Sequence, residues 1–77
     1  MAVYFISDGE YIKIGKADNP NKRLDQLQTA NARPLVLLHT ISGGKIEENK
    51  MHHLFKKWHV RGEWFRAESE MLKNIFK

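Results

Sequence analysis

No cysteine occurs in the 77 residues, which excludes disulfides and thiolate-ligated zinc and leaves packing alone to hold the fold. Long apolar runs are missing too. Nothing approaches the ~18 apolar residues of a membrane span, and the opening MAVYFISD has no basic segment ahead of an apolar one. No membrane partner and a cytoplasmic location are therefore expected. Repeats, linkers and low-complexity segments are also absent. A chain this short buries a small fraction of its surface, so one domain over residues 1–77 with a thin core is expected. Acidic residues are the scarcer charge: thirteen Lys and Arg against nine Asp and Glu give a formal charge of +4. On so small a surface that excess favours polyanions, with solubility as the plainer reading.

What is present is organised around Ala2 to Arg23, AVYFISDGEYIKIGKADNPNKR. Val3 to Ser7 and Glu10 to Lys16 are rich in β-branched and aromatic residues, and Asp8-Gly9 between them predicts a two-residue hairpin turn. That turn sets Tyr4 opposite Lys13 and Phe5 opposite Ile12. Val3, Phe5, Ile12 and Ile14 then share an apolar face, while Tyr4, Ile6, Tyr11 and Lys13 share the other. The second face reads as a poor core surface and a plausible chemical one.

Asn19-Pro20 is a helix start, with Asn19 at the N-cap and Pro20 at the first helical position. A helix over Pro20 to Thr29 carries Leu24 and Leu27 on a narrow apolar stripe and leaves Lys22 to solvent. Arg23 and Lys16 then converge on the N-terminus of that helix, whose free N–H groups favour anions. The arrangement suits a phosphate; a solvated arginine or an ion pair is the alternative. Pro34 breaks the chain out of helix, and Leu35 to Ile41 predicts a third strand, central beside the first and buried on both faces. Lys45 to His59 reads as a helix with Met51, Leu54, Phe55 and Trp58 on one face. Glu48 and His52 fall at its edge, where a carboxylate is partly dehydrated yet able to reach a cation. Glu47 is the rival, and placement in a first helical turn suffices to explain either glutamate. Four histidines raise zinc, but they lack cysteine partners and His52-His53 face different sides of a helix. Arg61-Gly62 is read as the end of that helix, Trp64 and Phe65 as core, and Ser69 to Lys77 as a short last helix. The expected class is α+β, with a three-stranded, mainly antiparallel sheet flanked by helices.

Ala2-Val3-Tyr4, Lys13-Ile14-Gly15 and Arg23, followed by Glu48, His52, Phe55 and Gly62-Glu63-Trp64-Phe65, resemble the GIY-YIG nuclease superfamily. The later residues are similar to the pattern of its small phage and bacterial subgroup of the meiotically up-regulated gene type, in which KIG commonly stands where YIG is expected. The resemblance implies a metal-dependent DNA endonuclease. Tyr4 would position or deprotonate the attacking water, Arg23 with Lys16 would hold the scissile phosphate, and Glu48 would ligate one Mg²⁺ or Mn²⁺. Lys13, Lys16, Lys22, Arg23, Tyr11 and His52 would contact nucleic acid. Lys13 stands where better-known members carry a second tyrosine, Ala2 replaces a glycine, and Glu63 lies in the region where an asparagine often lines the site. A catalytically idle binding module of the same fold and a small protein-interaction domain are the other two classes. So small a domain has no appended element to read base edges, so sequence specificity would need a homodimer or a larger protein partner.

Overall fold

The expected hairpin forms as β1 (Ala2–Ser7) and β2 (Tyr11–Ala17), but its turn sits one residue later than the Asp8-Gly9 signal predicts. Asp8 N–H donates to the Tyr11 carbonyl at 3.1 Å, and only glycines have positive φ, Gly9 at +100°. Gly9 and Glu10 are thus the central pair, with glycine first as in a type II′ turn. Asp8 anchors the turn instead of occupying it: its carboxylate accepts from the N–H groups of Glu10 at 2.9 Å and Tyr11 at 2.7 Å. Sliding a two-residue loop by one position moves the register by two. Tyr4 therefore pairs with Gly15 and Ile6 with Lys13. Because side chains alternate with period two, every residue keeps its expected face.

The computed structural model describes all 77 residues and continues with α1 (Pro20–Thr29), β3 (Val36–Ser42) and α2 (Lys45–Leu54). A 3₁₀ turn at Lys56–Trp58 leads to β4 (His59–Arg61), β5 (Trp64–Arg66) and α3 (Ser69–Ile75). The sheet has five strands in the order β3-β1-β2-β5-β4, every neighbouring pair antiparallel. The three-stranded sheet expected from the sequence is thus incorrect, although the α+β class fits. The two extra strands come from residues read as helix and loop. α2 stops at Leu54, and Gly62, at φ +53°, turns a β-hairpin instead of ending a helix. The expected apolar face of α2 is correspondingly shorter: Leu54 is 58% exposed, and Phe55 is buried.

β3 lies at an edge of the sheet rather than at its centre, and its outward residue Val36 is exposed. The sheet is covered on both faces. On one, Val3, Phe5, Ile12, Ile14, Phe55, Phe65, Met71 and Ile75 form the main cluster beneath α2 and α3. On the other, Tyr4, Ile6 and Leu35 pack against Leu24 and Leu27 of α1. The Tyr4 face is therefore core where α1 lies over it, against the sequence expectation. Trp64 is likewise corrected. Phe65 is opposite Ile12 and Trp64 opposite Lys13, so Phe65 points into the main cluster and Trp64 is left half-buried on the other face. No helix is long and apolar enough to cross a membrane.

Candidate functional site

Gly15 is the point about which the site is built. A Cβ there would come within 2.6 Å of Tyr4 Cζ, closer still to the Tyr4 hydroxyl, and within 3.0 Å of Glu63 Oε1. Only a residue without a side chain lets the phenol lie across β2, with a carboxylate from the β4–β5 turn on the same side of Gly15. Glu63 is fixed from two sides: its carbonyl accepts from Ile14 N–H at 2.9 Å, and its carboxylate pairs with Lys13 Nζ at 3.1 Å. Tyr4 is 1% exposed and has no side-chain partner, while no sealed side-chain N or O in the protein goes unpartnered. Its hydroxyl is therefore the part that opens to solvent.

One residue further along β2, Lys16 leads into a second group. Lys16, Asp18, Asn19, Lys22, Arg23 and Gln26 line a shallow polar depression at the N-terminus of α1. Local sequence explains the helix start: Pro20 opens it, and the Asn19 side chain accepts from Lys22 N–H at 3.2 Å. No acidic residue occupies the first turn, so the helix end keeps its positive potential. Lys16, Lys22 and Arg23 enter no ion pair. The expected convergence of cations is present, and their charge is free for an anion.

The two candidate glutamates of α2 are occupied differently. Glu47 folds back over Gly43, which has φ +137° and no space for a Cβ, and accepts from Gly44 N–H at 2.9 Å. This hydrogen bond, with a lesser contribution from Lys50, holds its carboxyl below the ordinary 4.5. Glu47 is thus an N-terminal cap. Glu48 is 7% exposed and is the one buried charged residue. It has no ion-pair partner, and with no sealed unpartnered oxygen in the protein its carboxylate opens to solvent. α2 begins beside Met1, whose carbonyl accepts from Gly43 N–H, and His52 Nε2–H donates to the Ile14 carbonyl at 2.9 Å. One turn separates Glu48 from His52, about 6 Å or roughly two strand residues, which sets Glu48 toward the Lys16 end of β2. A hard cation fits this carboxylate, since Mg²⁺ or Mn²⁺ needs few protein oxygens and keeps its waters. An all-protein cage does not fit, because no three His, Asp or Glu side chains gather.

The remaining candidates lie elsewhere. His52 is held by Ile14 and stands edge-on to the Phe65 ring, which makes it a brace between α2 and the sheet. Lys13 is neutralised by Glu63 and sits 5.4 Å from the centroid of the Trp64 ring, so it is not a free phosphate cation. Tyr11 is half-buried beside Asp8, Val60, Arg61 and Trp64, apart from the depression at α1. The residue that sequence reasoning undervalued is Glu63. Its place depends on β5 pairing with β2, which the GEWF run alone does not reveal.

The model of the family described as the T5orf172 domain matches residues 1–77. No curated protein and no solved structure matches the chain.

Proposed function

Because the chain belongs to the T5orf172 domain family, we propose that it is a metal-dependent DNA endonuclease of the GIY-YIG type that hydrolyses phosphodiester bonds. The observation that carries this reading is Glu48: a buried carboxylate without a cation partner, set toward the end of β2 where unpaired Lys16, Lys22 and Arg23 line one depression. The carboxylate opens to solvent and has no cation partner within the chain, so it is available to a hard cation from solution. A bound Mg²⁺ or Mn²⁺ would supply Lewis-acid neutralisation of charge on the phosphorus oxygens. The chain's own residues do the rest. Arg23 and Lys16 hold the phosphate at the helix N-terminus, and the Tyr4 hydroxyl, fixed by burial of its ring, orients the attacking water. Glu63, beside Tyr4 at Gly15, is within reach to accept the proton that water loses. Phosphate contacts carry little base information, so binding is expected to be largely independent of sequence.

A second reading is favoured by one observation. Lys13 replaces a tyrosine of the resembling nucleases, and its ion pair with Glu63 ties up the carboxylate that approaches Gly15 beside the Tyr4 ring. In that reading the domain binds nucleic acid without cutting it. Incubation of the purified protein with plasmid and single-stranded DNA, with Mg²⁺ or Mn²⁺ and with EDTA, separates the two. Metal-dependent nicking lost in Glu48→Gln supports the nuclease; binding without nicking on any substrate supports the idle module. Arg23→Ala should weaken binding in both cases and flatten its salt dependence by about one phosphate contact.

A further inference from the structure

The face of the sheet that carries Tyr4 is covered by α1 only over β1, β3 and the adjoining part of β2, where Leu24 and Leu27 pack on Tyr4 and Ile6. Past Lys13 the same face continues across β5 and β4 with no helix over it. Pairing sets its residues: Tyr11 opposite Arg66, Lys13 opposite Trp64, and Trp64 opposite Arg61. Since directly paired residues share a face, Tyr11, Trp64, Arg61 and Arg66 form one surface. β4 spends two residues where β5 spends one. This bulge at Val60 brings its half-exposed side chain into a depression lined also by Asp8, Tyr11, Arg61 and Trp64.

Two guanidinium groups on this surface are unpaired. Arg61 and Arg66 are exposed and enter no ion pair, whereas Glu10 and Asp8 are engaged by Arg33 Nη1 at 3.0 and 3.9 Å. Glu63 is likewise paired with Lys13. Exposed Glu68, which shares a second depression with Val60 and Arg66, is the acid left unpaired beside them. Two half-buried aromatic rings flanked by free guanidinium groups do not suit an apolar protein partner. They suit a chain that offers planar π-faces and a phosphate at each residue.

We propose that Tyr11 and Trp64, with Arg61 and Arg66 beside them, form a stacking platform for the unpaired bases of single-stranded DNA. The rings supply base stacking and the arginines track the backbone. A duplex keeps its bases stacked on each other and cannot use such rings, so the platform selects single-stranded or frayed DNA over duplex. The depression at α1 contacts phosphates of either. The proposal shares a nucleic-acid partner with the function proposed above but requires neither the metal nor cleavage.

The test is run in EDTA with Trp58→Phe protein, in which Trp64 is the one remaining indole of two. Titration with an oligothymidylate of about twelve residues, within the span a single binding groove covers, should quench Trp64 emission. Tyr11→Leu, away from the main core, should weaken oligothymidylate binding by roughly ten-fold for one lost stacked base. It should leave duplex affinity within about two-fold, since it removes no contact a duplex can make, whereas Arg66→Gln, which removes a phosphate contact, should weaken both ligands. Arg23→Ala should weaken both ligands. Absence of quenching, or an equal loss for duplex and single strand in Tyr11→Leu, overturns the platform. So does a dimer in sedimentation that Tyr11→Leu dissociates, because a second copy would then be the occupant. Single-strand binding with these signatures but no metal-dependent cleavage leaves the platform standing and removes the nuclease; cleavage with unaffected Tyr11→Leu binding does the reverse.

Discussion

The ring of Tyr4 lies across Gly15, with its hydroxyl in the space that a side chain at residue 15 would need. Gly15→Ala should therefore overpack a site whose other partner is buried and unable to withdraw. The expected cost is about 1–3 kcal/mol, read as a lower denaturation midpoint in urea, together with a fall in cleavage. Tyr4→Phe keeps the ring and its packing, so its midpoint should stay near that of the parent while turnover drops. A Gly15→Ala protein with unchanged stability and activity would mean that the tyrosine is free to move aside.

Phe65 and Trp64 offer a direct comparison of adjacent aromatics. Phe65→Ala removes a ring from the centre of the main cluster and should cost about 3–5 kcal/mol. Trp64→Leu, on the other face, should cost clearly less. Thermal unfolding of the pair decides it, and a larger loss at Trp64 would contradict the β5 register.

These two residues also show what the sequence could and could not reveal. The hairpin, the α1 start at Asn19-Pro20 and the apolar face of Val3, Phe5, Ile12 and Ile14 were legible, because local turn and cap chemistry and a period of two determine them. The cationic depression was legible for the same reason, since Lys16 and Arg23 flank one helix start. What was hidden depends on pairing between distant segments. β4 and β5 have three residues each, too few to display a period. The spacing of Met51, Phe55 and Trp58 fits a helix that in fact ends at Leu54. The choice of Phe65 over Trp64 for the core, and the arrival of Glu63 at Gly15, both follow from where β5 meets β2.

Glu48→Gln separates a ligand from a structural charge. Since the carboxylate has no ion-pair partner, neutralising it at nearly constant shape removes no ion pair of the fold. Stability should hold, DNA binding should persist, and metal-dependent nicking should vanish. A marked loss of stability would instead assign Glu48 a structural contact.

Glu47 gives the fold a pH dependence of predictable sign. Its carboxyl titrates lower in the folded protein than in the unfolded chain, chiefly because Gly44 N–H donates to the charged form. The stabilisation is therefore complete above the ordinary value of 4.5 and is lost as pH falls through the lower, folded value. In Glu47→Gln the stability difference from the parent should stay constant above that range and narrow below it. A difference that does not change between neutral and acid pH would show that the cap is not ionic.

The strand that delivers Glu63 pairs residues 11–13 with residues 64–66, a separation of about fifty positions spanning most of the chain. Loops of that length are slow to close, and their contacts reward the chain only after the closure entropy has been met. The β1–β2 hairpin, by contrast, is local and forms on a timescale of roughly microseconds. The phenol of Tyr4 and the Lys16 cation belong to that hairpin, and the Glu63 carboxylate joins them only when β5 docks. On the function proposed above, a nascent or frayed chain would have part of its phosphate site before the full constellation to act on it, which would make completion of folding itself the step that arms the site.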